Sequence, residues 1–149
     1  MLFRSPLPVT REESLTAVKF NHIKQYMVGV AADNGHVAFW DVNVAKELHK
    51  FSEHKAPATG LAFSPVNEVL VLSSGLDKRC ICYDTQMKKP ASTIWTESPL
   101  TCVEFAADGT NLALGTSQGH VYLYDLRSFS HPTAIIEAHA SSEIGRAHV

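Results

Sequence analysis

No apolar run in this 149-residue chain is long enough to cross a bilayer, and no signal peptide is visible at its start. A membrane partner is therefore not expected. Basic excess is missing as well. Thirteen Lys and Arg stand against 15 Asp and Glu, giving a net charge of −2 and a pI near 6.4. That balance leaves no electrostatic footprint for a nucleic acid. Cysteine is scarce: Cys80, Cys82 and Cys102 are odd in number and sit at apolar, strand-like positions. They read as buried free thiols in a reducing compartment, cytoplasm or nucleus, rather than as disulfides. Helical periodicity is also missing, so the 45% apolar content must be packed as strands.

What is present is a repeat. An apolar stretch centred on Phe20, Phe63 and Phe105 is followed each time by an aromatic-Asp pair: Trp40-Asp41, Tyr83-Asp84 and Tyr124-Asp125. The copies recur at about 42 residues, and four short strands fit in each unit, which is the signature of a β-propeller blade. The predicted fold class is all-β: a partial propeller of about three four-stranded antiparallel blades. The units are placed at 14–54, 55–98 and 99–140. Residues 1–13 form an irregular leader or an incomplete preceding blade. Residues 141–149 form a tail whose end resembles the in-frame translation of a sequencing adapter.

Aligned on Phe, the columns define the strands. The first strands are 16–20, 59–63 and 101–105, with Val18, Leu61 and Val103 on the face of the Phe residues. The column of Ala17, Gly60 and Cys102 is small, as tight packing requires. Second strands start at Met27, Leu70 and Leu112, and third strands cover 36–40, 79–83 and 120–124. The third strands are apolar on both faces, as sheets sandwiched between neighbours should be. Fourth strands are shorter: 47–51, 92–95 and 133–136. Turns fall at Asp33-Asn34-Gly35, Leu76-Asp77-Lys78 and Ser117-Gln118-Gly119. The aromatic-Asp pairs are read as packing positions, and Trp95 is placed in the core.

The repeat resembles the WD-repeat family over roughly Ser14 to Ala140. The likeness rests on Asn-Gly-His-Val-Ala-Phe-Trp-Asp ending at Asp41, Leu-Asp-Lys-Arg-Cys-Ile-Cys-Tyr-Asp ending at Asp84, and Gln-Gly-His-Val-Tyr-Leu-Tyr-Asp ending at Asp125. The resemblance implies a buried hydrogen-bond network, and only the second unit matches it, with His54, Ser73, Asp77 and Tyr83. The first unit has Val30 and Asn34 in those slots; the third has Leu114, Gln118 and Thr96. The strings from His54 to Gly60, Phe63 to Glu68 and Gly75 to Arg79 are similar, within that family, to propellers of adaptors that target the γ-tubulin ring complex. This implies a non-enzymatic scaffold of the cytoplasm and cytoskeleton, at centrosome and spindle, that serves microtubule nucleation. The γ-tubulin ring complex would be bound through regions absent from this chain, and centrosomal or spindle proteins through the propeller. No cofactor is implied.

His54, Ser73 and Asp77 are a nucleophilic set on paper, without a Gly-x-Ser-x-Gly elbow. Cys80-x-Cys82 matches no zinc knuckle, and the two thiols fill apolar columns, so neither a metal nor a catalytic residue is assigned. Asn34-Gly35-His36 and Gln118-Gly119-His120 are turns rather than phosphate loops. Tyr124-Asp125-Leu126-Arg127 resembles the box by which WD-repeat substrate receptors dock on a cullin-RING ubiquitin ligase, which makes Arg127 a partner-contact candidate; alternatively it pairs with a neighbouring acid. Ser5-Pro6, Ser64-Pro65 and Ser98-Pro99 are minimal proline-directed kinase motifs with no role assigned. Blade faces left bare should make the chain, expressed alone, poorly soluble or oligomeric.

Overall fold

The computed structural model describes residues 13–138. Most of the proposed leader, the proposed tail and Ser5-Pro6 lie outside the described residues. Twelve strands make up the fold: β1 Leu15–Phe20, β2 Met27–Ala32, β3 Val37–Asp41, β4 Lys46–Phe51, β5 Ala58–Phe63, β6 Leu70–Gly75, β7 Arg79–Asp84, β8 Pro90–Trp95, β9 Leu100–Phe105, β10 Asn111–Thr116, β11 His120–Asp125 and β12 Ala134–Glu137. They form three antiparallel four-stranded sheets, β1–β4, β5–β8 and β9–β12, each in chain order. These are the three blades, and no helix occurs among the described residues.

The blades pack face to face through two apolar layers. Between blades 1 and 2 lie Val37, Phe39 and Phe51 against Leu61, Phe63, Ile81 and Tyr83. Phe39 makes edge-on contacts with Phe51, Phe63 and Tyr83 at ring-centre distances of 6.0–6.1 Å, a geometry that aromatic quadrupoles favour. Between blades 2 and 3 lie Leu72, Cys80, Cys82 and Ile94 against Leu100, Val103, Leu114 and Tyr122. Blade 2 is therefore covered on both faces. Burial pushes the Cys82 thiol up to about 11 and Cys80 higher still, so both stay protonated and act as small apolar groups.

Two sequence expectations fail at the ends of the stack. Val18 and Phe20 are exposed although Leu61 and Val103 in the same column are buried. That column faces the preceding blade, and none lies there among the described residues. Cys102, expected to be buried, is exposed for the mirror-image reason on the far face of blade 3. It therefore lies on the other side of blade 3 from Cys80 and Cys82, and the three thiols cannot converge on one metal ion.

A device not visible in the column pattern joins the inner strands. Each first strand bulges at its Thr. The register skips Thr16 between Leu15 and Ala17, Thr59 between Ala58 and Gly60, and Thr101 between Leu100 and Cys102. A bulge re-aims its side chain. Thr16 Oγ1 donates to the Ala58 carbonyl at 2.5 Å, and Thr59 Oγ1 donates to the Leu100 carbonyl at 2.8 Å. Each staple runs from one blade to the first residue of the next.

The Asp of each aromatic-Asp pair folds the turn that follows rather than packing. Asp41 Oδ1 accepts from the Asn43 amide, Asp84 Oδ1 from Gln86, and Asp125 Oδ1 from Arg127, at 2.8–2.9 Å. Such Asx turns are a local use of a short acceptor side chain. Ser64 is buried in its hairpin, its Oγ accepting from the Val66 and Asn67 amides, which removes it from a kinase's reach.

The turn between second and third strands needs a left-handed residue. Gly35, Lys78 and Gly119 fill it at φ 92°, 69° and 83°, each amide donating back to Ala32, Gly75 or Thr116. Lys78 alone bears a Cβ there, which costs about 1–2 kcal/mol relative to glycine's free choice. After the entropy glycine adds to the unfolded chain, Lys78→Gly should raise stability by about 0.5–1 kcal/mol, read as an increased urea midpoint at unchanged slope.

Candidate functional site

The densest polar cluster lies inside blade 2, where an apolar layer would otherwise be continuous. Ser73 is central in β6, Tyr83 stands on β7, Asp77 sits in the turn joining them, and His54 comes from the segment between β4 and β5. His54 Nδ1 is 3.0 Å from Asp77 Oδ1, and His54 Nε2 is 2.7 Å from Ser73 Oγ. Ser73 Oγ is in turn hydrogen bonded to the Tyr83 hydroxyl at 3.0 Å. A carboxylate can only accept, so the His54 proton resides on Nδ1. The four groups sequence reasoning named therefore stand in one connected chain.

Three partners were not anticipated. The Lys55 amide donates to Asp77 Oδ2 at 2.8 Å, and Arg79 Nε donates to the same oxygen at 2.9 Å. The Arg79 Nη2 group also donates to the Glu53 carbonyl. The third is Gly75: a Cβ there would lie 2.4 Å from both Asp77 Oδ1 and His54 Nδ1. The glycine is required by this close approach, a signal that the Ser74-Gly75-Leu76-Asp77 run held but that polarity alone did not show.

The electrostatics follow from this packing. Burial lowers the His54 pKa by more than the Asp77 hydrogen bond and charge raise it, so the ring is neutral. For Asp77, burial works upward but is outweighed by the Lys55 amide, His54 and Arg79, leaving the carboxyl below its ordinary value. Burial also raises the Tyr83 phenol. The distances match those of a nucleophile, base and orienting acid, but the accessibility does not. Ser73 is fully buried with Tyr83 on its open side, so no substrate carbonyl reaches its hydroxyl. The arrangement satisfies buried polar groups and ties the segment before β5 to the turn after β6.

Two surface residues complete the picture. Trp95, expected in the core, is 67% exposed; Ile94 takes the inward place beside it. Trp95 stands cross-strand from Arg79, whose guanidinium lies 5.1 Å from the ring centre. Held by Asp77 and Glu53, that cation is a fixed platform for the indole. Arg127 is bidentate on Asp125, at 2.9 Å and 2.6 Å, within its own turn. Its side-chain and amide hydrogen bonds hold the Asp125 carboxyl down at about 2. The Arg127 charge is thus engaged locally, on an exposed rim where such pairs contribute little.

Substituting Gly75→Ala should cost about 1–3 kcal/mol, the range for forcing one methyl into a packed site, measured by urea unfolding. The same network sets a pH dependence. Below the ordinary His value of about 6.5, the unfolded chain takes up a proton that buried His54 refuses. Stability is therefore complete above that pH and falls as the medium is acidified. Asp77 adds a second loss as pH drops through its ordinary value of 3.8 toward its lower folded one. The urea midpoint should be higher at pH 7.5 than at pH 5.5. His54→Gln should lower the midpoint at pH 7.5 and shrink that difference.

Comparison with known proteins agrees with the architecture. A family profile described as Nucleolar protein 10-like, N-terminal domain, a β-propeller, matches residues 2–148. Protein NEDD1 of Bos taurus and that of Homo sapiens are each 45% identical over 142 residues, covering 95% of this chain and 22% of the relative. The chain thus spans about a fifth of the length of those curated relatives. A chain in the crystal structure of a mitotic checkpoint complex aligns with a TM-score of 0.78 at 23% identity, over 87% of this chain and 40% of that one. At that identity the likeness speaks for the fold alone. With its three repeats built as blades and nearly its whole length matched, the chain belongs to the WD-repeat β-propellers of the Nucleolar protein 10-like, N-terminal domain family.

Proposed function

We propose that this chain is a propeller segment of a non-enzymatic adaptor that recruits the γ-tubulin ring complex to centrosome and spindle for microtubule nucleation. The observation that carries the reading is the 45% identity to Protein NEDD1 over 95% of the chain. It is supported by the strings His54–Gly60 and Gly75–Arg79, which fold here into the network that braces blade 2. The mechanism is surface presentation. Stacked blades hold their loops at fixed spacing, and proteins of the centrosome or spindle dock on them. The γ-tubulin ring complex itself is engaged through regions outside this chain. The blade units are 14–54, 55–98 and 99–140. Ligase docking rests on the Tyr124-Asp125-Leu126-Arg127 box, and with the Arg127 guanidinium bound to Asp125 it is not favoured.

The test is depletion of the parent protein in dividing cells, followed by rescue. Full-length protein should restore γ-tubulin at spindle poles. The same protein lacking 14–140 should still co-precipitate γ-tubulin but fail to restore it at the poles. Unchanged polar γ-tubulin after depletion would overturn the proposal.

A further inference from the structure

The turns that join first to second strands and third to fourth strands emerge at one end of the stack, because each sheet is an antiparallel meander. Blades pack on sheet faces, so a neighbouring blade does not cover this end. In blades 1 and 2 it carries Ile23, Tyr26, Val44, Val66 and Met87, from 36% to 65% exposed. The opposite end shows Leu76 in a turn and Trp95 at the close of β8, the indole held by Arg79. Solitary exposed apolar side chains are ordinary, but a group gathered at one end marks an interaction surface.

The turns are fixed relative to one another. In blade 1 the Val42 amide donates to the Tyr26 carbonyl at 2.8 Å, which fastens the turn bearing Val44 to the turn bearing Ile23. In blade 2 the Thr85 amide donates to the Val69 carbonyl at 2.8 Å, joining the turns of Met87 and Val66 in the same way. Asn21 Nδ2 crosses from blade 1 and donates to the Glu68 carbonyl of blade 2 at 2.9 Å. Ala45 closes the Val44 turn in the left-handed conformation, at φ 55°, which a Cβ disfavours. Backbone strain of this kind gathers where a turn serves binding.

The charge offered at this end is mostly of one sign. Asp41, Asp84 and Asp108 aim Oδ1 at the amides of their own turns, and Asp125 is engaged by Arg127. Glu68 is the remaining acid, and Lys46 stands opposite Asp41 in the register. Lys24 follows Ile23 in the chain, and Lys88 and Lys89 follow Met87; none of the three forms an ion pair among the described residues. An apolar centre with ammonium groups around it fits a partner that is apolar along its middle and acidic at its margins. We propose that this end of blades 1 and 2 docks an acidic amphipathic segment of another protein. Its apolar stripe lies on Val44, Val66 and Met87, and its carboxylates meet Lys24, Lys88 and Lys89. The proposal names the docking surface of the scaffold and rests on the scaffold reading above.

The experiment places a photocrosslinking benzoylphenylalanine at Val44, Met87 or Leu76 of the full-length parent protein in dividing cells and sequences the crosslinked peptides. Val44 and Met87 should label the same segment of one other protein, rich in Asp and Glu with apolar residues in periodic array. Leu76, at the opposite end, should not label it. Lys24→Glu combined with Lys88→Glu and Lys89→Glu should cut the yield at least about tenfold, since three attractions become repulsions. Exchanging the acids of that segment for Lys should restore the yield, which also shows that the charge-reversed protein is folded. Crosslinks that fall on another stretch of the same polypeptide, or on lipid, would overturn the proposal. So would the absence of crosslinks from Val44 and Met87, a yield indifferent to charge reversal, or one that the exchange fails to restore. Where this surface fails and the charge-reversed protein still returns γ-tubulin to the spindle poles, the scaffold reading stands without it. Where the scaffold reading itself fails, the wild-type protein leaves polar γ-tubulin unrestored.

Discussion

A sheet of four short strands with two apolar faces cannot bury both by itself, and the rest of this structure depends on that constraint. Stability has to come from neighbours, so the core is not one cluster but two layers, each shared between blades. Blade 2 shows what a satisfied unit looks like. Ile81 and Tyr83 point one way, Cys80 and Cys82 the other, and every one of them is buried. Blades 1 and 3 carry the same pattern with one face uncovered among the described residues.

The hydrogen-bonded chain in blade 2 is best understood within that packing. In blade 1 Val30 occupies the Ser73 slot, on the face turned away from blade 2, and in blade 3 Leu114 does so, within the apolar layer against blade 2. A fully satisfied polar network and a well-packed apolar patch are alternative solutions to the same space. Blade 2 takes the polar one and gains a directional link: the segment 53–55 is fastened to the turn at Asp77 through both a side chain and a main-chain amide. Arg79 extends that link to the surface, where it orients Trp95.

Much of this was legible in the letters. The recurrence of Phe and aromatic-Asp located all twelve strands to within one or two residues, because alternation and turn residues are local signals. The turn column was legible for the same reason, apart from Lys78, which tertiary context forces into a glycine's conformation. What could not be read depends on register or on neighbours. Trp95 is as apolar as Ile94, and only the pairing with Arg79 shows which of the two turns outward. Cys102 and Phe20 follow their columns faithfully; their exposure reflects position in the stack, which no residue encodes. The bulge at Thr16, Thr59 and Thr101 adds one residue to a strand without changing the spacing of the repeat, so periodicity alone passes over it.

The threonine staples carry a consequence for how such a chain arises. Donor and acceptor of each staple belong to adjacent residues of the repeat, Thr59 giving outward while Ala58 receives from behind. Any tandem duplication of one repeat length of gene thus inherits a complete donor-acceptor junction, wherever within the repeat the copying begins. New blades come with their fastenings already matched, and the ring can lengthen, shorten or be circularly permuted without inventing a single new contact.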